Sequence, residues 1–395
     1  MRLSYEELEK VKQQYEVDIL WSFSRFNCYR TSKFEYLLKY VQKVKENNDK
    51  MSAYAPLGTV CHDNIEAYYD DKLSADSLPD EFDEAFTVNI DIAGLCFDRC
   101  DSTKNENIKT KYYKNLMHYF ENFKPMDVKP TLEQFLTIKV TNDIVFQGYA
   151  DCLSIEDGYC IVTDFKTSSI YKGKKAEKES AQLVLYSEAL RQKGFPKDKI
   201  KARWAFLKYV DIDCEQVNGK IKTRTVERAE IGTALQASAK TWLKKYGYED
   251  DMLMYLDALA QSNDIKVLPD EVQKKFVIKD CYVYIDNIWD FYDELKEEII
   301  TTIAEINEKT EKYNELKDTD IDAAEHLFWD DDETLKNQSY YFNNLSGYRI
   351  STIKPFADYL NRINEDKNLD LLGLNNENKN ETQEQDDLSW LKDLL

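Results

Sequence analysis

The feature that most constrains the fold is a pair of strand-like runs flanking one turn signal. Ile144-Val-Phe-Gln-Gly-Tyr-Ala is rich in β-branched and aromatic residues, and Tyr159-Cys-Ile-Val-Thr-Asp-Phe-Lys166 reads as a second run. Glu156-Asp-Gly158 between them is a turn signal, so the segment predicts a β-hairpin. Strand residues two apart share a face. Asp164 and Lys166 therefore project together, and Phe165 turns into the opposite layer. Asp151 lies on the first arm, within reach of a metal shared with Asp164.

Those residue types define a chemistry. Mg²⁺ is a hard cation that takes carboxylate, carbonyl and water oxygens. Two carboxylates can hold one ion and leave positions for a phosphate and a water, whose pKa the metal lowers. A neighbouring lysine can orient that water or stabilise charge in the transition state. An isolated Asp-x-Lys triplet is nevertheless weak in a chain with 53 Lys/Arg and 74 Asp/Glu, where a solvated strand edge is the bland alternative.

The neighbouring blocks carry more. Ser22-Phe-Ser24-Arg-Phe-Asn-Cys28, Gly58-Thr59-Val-Cys-His62, Gly148-Tyr-Ala-Asp151, Asp164-Phe-Lys166 and Gln182-Leu-Val-Leu-Tyr186 follow in that order. Together, over about residues 20–210, they resemble the PD-(D/E)XK nuclease superfamily in its RecB-like exonuclease branch. The resemblance implies an α+β fold with a restriction-endonuclease-like mixed β-sheet core flanked by helices. It implies His62, Asp151 and Asp164 as ligands of Mg²⁺ or Mn²⁺, with the Phe165 carbonyl as a further oxygen. Lys166 would be the catalytic lysine, and Gln182 and Tyr186 would orient it or bind the DNA backbone. Read without the resemblance, His62 is a lone surface or capping histidine on a helix over Thr59–Asp70. Glu66, one turn on, reads as its solvated partner. Gln182 and Tyr186 are i,i+4 neighbours on a core-packing helix, and Ser22 and Ser24 are an N-cap or turn pair.

Members of that branch often carry an iron–sulfur cluster, held by one upstream cysteine and three late ones. Cys28 matches the upstream position. The late segment Leu335–Arg349 contains no cysteine, and only Cys281 lies late in the chain. A four-thiolate cluster is disfavoured, and the C-terminal region is expected to be held by packing instead.

Charge bears on the substrate. The net charge of −21 is adverse to DNA binding. Residues 166–208, however, hold twelve Lys/Arg against four Asp/Glu, a net of +8 that leaves −29 for the rest. Lys172, Lys174 and Lys175 lead this stretch and are expected to contact a DNA backbone. The alternative is that these lysines only solvate a loop and a helix.

The remaining sequence predicts mostly helices. Residues 4–20, 33–46, much of 107–124 and 178–193 read as helical, and 131–140, 202–211 and 222–228 as strands. Residues 1–130 form an N-terminal helical region of the nuclease fold and 131–229 its core. Residues 230–374 make a mainly helical C-terminal region, with two helices over 232–262 and a long one over 286–316. Asn375–Asp387 is polar and acidic and leads into the apolar tip Leu388-Ser-Trp-Leu-Lys-Asp-Leu-Leu395. Such a tip either docks into a partner protein or folds back. The polar N-terminus, eight scattered cysteines without a CxxC pair, and the lack of a long apolar run lead to the expectation of a cytoplasmic protein with no membrane span. A metal-dependent DNA exonuclease of recombination, repair or phage-type processing is the leading expectation. A non-catalytic DNA-binding or assembly module and a restriction-type endonuclease are the alternatives.

Overall fold

The computed structural model describes residues 3–47, 51–348 and 353–371. The tail 375–395, with its proposed docking tip, lies outside them. Seven strands form one mixed sheet: β1 Leu20–Ser22, β2 Thr131–Lys139, β3 Val145–Glu156, β4 Tyr159–Lys166, β5 Ile200–Glu215, β6 Ile221–Glu227 and β7 Phe276–Tyr284. The predicted hairpin is β3–β4. Its turn is a tight one in which Asp157 and Gly158 both have positive φ, 51° and 78°, the conformation that Asp-Gly favours between twisted strands.

Pairing along β3 has one consequence for everything that follows. β2 takes one edge of β3 from Lys139↔Val145 to Thr131↔Leu153. The other edge is shared. β1 pairs with Val145–Gln147 and β4 with Cys152–Glu156. Between them, Gly148-Tyr-Ala-Asp151 has no strand beside it on that edge. β4 continues past the last pair, Cys152↔Thr163, and leans instead on β5 as far as Lys166↔Phe206. The hairpin arms thus splay apart, and the gap opens at the two motifs.

Both faces of the sheet are covered. On one, α7 (Gly173–Gln192) and α11 (Ile288–Leu316) pack over Val162, Ala202, Trp204 and Phe206. On the other, α4 (Tyr54–Tyr69), α5 (Leu78–Phe86) and α6 (Ser102–Glu121) pack over Phe165, Ala205 and Leu207. Helices α8 (Ile231–Lys245) and α9 (Met252–Ser262) cover the far half of β5 around Val210 and Ile212. The stretch expected to be mainly helical contains one strand, β7, antiparallel to β5. The expected first helix ends at Tyr15 rather than residue 20, where Glu16 turns left-handed (φ 56°), and the chain then enters β1 at Leu20.

The C-terminal segment is held to the N-terminal helices by two buried carboxylates. Helix α2 (Phe23–Thr31) is followed by a helical run from Lys33 to Val41, whose first part, Lys33–Tyr36, is α3. Glu35 on α3, 3% exposed, accepts from the hydroxyls of Tyr341 and Ser346. Asp330 accepts from Ser32 Oγ at 2.7 Å and the Lys33 N–H at 2.6 Å, capping the same helix from outside. Each segment supplies one acid to the other.

Candidate active site

The splayed arms leave unpaired backbone at Phe165, and two side chains satisfy it. Its N–H donates to Asp151 Oδ2 at 3.0 Å, and its carbonyl lies 3.0 Å from His62 Nε2. His62 Nε2 is in turn 3.7 Å from the same Asp151 oxygen. Asp151 comes from the gap in β3, Phe165 from the overhang of β4, and His62 from α4 on the opposite face. His62 lies one turn beyond Gly58, which rests against Thr167. As expected, the Phe165 ring faces the α4–α6 layer, leaving its carbonyl at the cleft.

Asp164 and Lys166 share the other face, as alternation predicts. Lys166 Nζ stands 2.7 Å from Asp164 Oδ2, off the hydrogen-bond direction, so the contact is an ion pair. Burial works against the Lys166 charge, but Asp164, with Tyr171 and Asp151 behind it, holds the ammonium well above the usual lysine range. Burial, then the Asp164 charge, pushes the Asp151 carboxyl up to about 7. Two acids pressed together in a half-dry cleft favour a cation between them.

The donor set fits a hard divalent ion. Adjacent ligands of an octahedral Mg²⁺ stand about 3 Å apart, the spacing of His62 Nε2 and the Phe165 carbonyl. A carboxylate on β2 joins the cluster and was not singled out from the sequence. One ligand atom each of Glu133, His62 and Asp151 lies within 4.8 Å of the others. Pairs Leu132↔Cys152 and Gln134↔Ala150 set Glu133 opposite Asp151, and its φ is +46°. Only the register of β2 against β3 reveals this. Asp164 is not part of that triad and is engaged by Lys166 instead.

Gln182 and Tyr186 sit on α7 as predicted, joined by Gln182 Nε2→Tyr186 OH at 3.1 Å. The tyrosine explains a glycine. A Cβ on Gly148 would stand 2.7 Å from the Tyr186 hydroxyl, so only glycine lets that ring close onto the unpaired stretch of β3. Ser22 is the N-cap of α2, accepting from the Arg25 N–H at 3.1 Å, which is the capping role considered for it.

The basic stretch divides. Lys172, Lys174 and Lys175 are exposed at the start of α7, close behind Lys166 in the chain. Lys199 and Lys201 pack over Tyr159 at the turn end of the hairpin, roughly 20 Å of strand away from Lys166. Arg203 is buried against Glu156. The positive charge at the cleft is thus smaller than the sequence count.

A mixed sheet whose splayed hairpin presents two acids and a lysine, facing a histidine from α4, defines the fold class of metal-dependent nucleases. The family model of the PD-(D/E)XK nuclease superfamily matches residues 20–328, and the chain belongs to that superfamily. Comparison with curated proteins gives no match. No helix among the described residues is long and apolar enough to cross a membrane.

Proposed function

We propose that the protein is a divalent-metal-dependent DNA exonuclease of the RecB-like branch, serving recombination, repair or phage-type DNA processing. The observation that carries this reading is the convergence of His62, Asp151 and the Phe165 carbonyl at the gap between the hairpin arms. These three, with Asp164, would hold Mg²⁺ or Mn²⁺. The bound ion would supply an activated water and neutralise charge on the scissile phosphate. The Lys166 ammonium, fixed by Asp164, stabilises negative charge building on that phosphate. Gln182 and Tyr186 hold the strand against the cleft, and Lys172, Lys174 and Lys175 take its backbone at the rim.

The test uses end-labelled single- and double-stranded linear DNA and a closed circle, with Mg²⁺, Mn²⁺ or EDTA, for the wild type and Lys166→Ala. Metal-dependent loss of linear DNA that spares the circle and disappears in the variant is the expected result. Cutting of the circle would make it an endonuclease. DNA binding without cutting would favour the assembly module.

A further inference from the structure

Strand β5 carries a second irregularity level with the first. β4 leaves it at Phe206 and β6 joins the same edge only at Tyr209. On the other edge, pairing with β7 is broken between Ala205 and Val210. Leu207 and Lys208 thus lie in a stretch without regular pairing on either side. Lys208 follows Phe206, the partner of Lys166, by two residues, or roughly 7 Å of strand.

Lys208 is 2% exposed. Its ammonium stands 3.5 Å from the centre of the Tyr112 ring and 5.9 Å from that of Tyr209. Among the described residues no carboxylate comes within ion-pair distance of it. The acid nearest in influence, Glu227, is taken by Lys111 at 3.0 Å and by Asn115 at 3.0 Å. Burial presses the Lys208 amine down to about 7, with Glu227 pulling it up and Lys111 pushing it further down. A buried lysine without a counter-ion is costly to the fold, and such costs concentrate at functional sites. Two aromatic faces offset only part of it.

We infer that Lys208 is a substrate-binding residue whose ammonium receives one phosphodiester of the substrate strand, next to the one cleaved. This rests on the nuclease reading of the adjacent site.

The experiment measures binding of a fluorescein-labelled oligonucleotide, single-stranded and as a duplex, with Ca²⁺ replacing Mg²⁺. Wild type is compared with Lys208→Met, which keeps the apolar stem, and Lys208→Gln, which keeps a polar head without charge. Both variants should lose about tenfold in affinity, and the slope of log affinity against log salt should fall by about 0.7–0.9. Binding and melting are read near pH 6, below the value to which burial presses the amine, and there the variants' melting temperature should stay level or rise because a buried unpaired charge has gone. Replacing single phosphates with methylphosphonates should find one position where wild type loses affinity and the variants do not. Unchanged affinity and salt slope would overturn the inference, as would additive losses at every position. If wild type binds DNA through Lys208 but never cuts it, the subsite stands and the nuclease reading falls. If it cuts with metal and Lys208 is silent, the reverse holds. If it binds no DNA, both fall.

Discussion

Asp151 accepts the backbone N–H of Phe165 at 3.0 Å, in the place where a paired strand would have put a carbonyl. One carboxylate thus serves as the end of a β-ladder and as a candidate metal ligand. The bond fixes where the hairpin arms part.

The first prediction concerns pH. In the unfolded chain Asp151 ionises near 3.9, whereas burial and then Asp164 push it up to about 7 in the folded protein. Between those values the folded state holds the extra proton, so metal-free stability falls as pH rises from about 4 to about 7 and then levels. Asp151→Asn removes this slope. In EDTA its melting temperature should exceed that of wild type by a few degrees near pH 8 and match it near pH 4. A constant difference would show that Asp151 titrates normally. Mn²⁺ affinity of the wild type should rise through the same window.

Glu133 should matter for metal and not for DNA. Glu133→Gln is expected to weaken Mn²⁺ binding by about 10–100-fold, the range seen when supporting groups of a metal site are removed. Calorimetric titration of the protein alone reads this. Its φ of +46° adds a backbone test. Glu133→Gly should be more stable than Glu133→Ala by about 1 kcal/mol; the opposite order would mean the strand relaxes around alanine.

Gly148→Ala should fail for steric reasons. The added methyl meets the Tyr186 hydroxyl at 2.7 Å and ring carbon Cε1 at 2.8 Å, so the ring must move. A loss of about 1–3 kcal/mol is expected from denaturant melts. Pairing it with Tyr186→Phe should recover only part, since the ring carbon remains. Full recovery would place the clash at the hydroxyl alone.

Cys28 should carry no cluster. Burial, then Glu35, pushes its thiol well above the usual range, which disfavours the free thiolate that an alkylating agent requires. Protein purified without oxygen should hold no stoichiometric iron, and iodoacetamide should label Cys28 more slowly than the exposed Cys100. A sulfide-cluster absorption band would contradict this.

Much of the site was legible because it rests on local rules. Period-two alternation sets Asp164 and Lys166 on one face and Phe165 on the other. Asp-Gly makes the turn, and i,i+4 spacing joins Gln182 to Tyr186. What escaped depends on pairing between distant segments. Phe276–Tyr284 has Lys279-Asp280 at its centre and becomes a strand only because β5 offers an edge. Glu133 gains meaning only from its register against Asp151. Lys199 and Lys201 are close to Lys166 in sequence, but the length of α7, about 30 Å, carries them to the turn end of the hairpin.

The reciprocal acids at Glu35 and Asp330 bear on where this protein can be shortened. A chain ended after Phe328, the last residue of the family match, would keep every residue named in the cleft. It would also strip Glu35 of both hydroxyl donors and remove the cap from Ser32 and Lys33. Truncation at the edge of the family match should therefore cost stability without removing any residue of the cleft, because two acids that take no part in the chemistry would lose their partners.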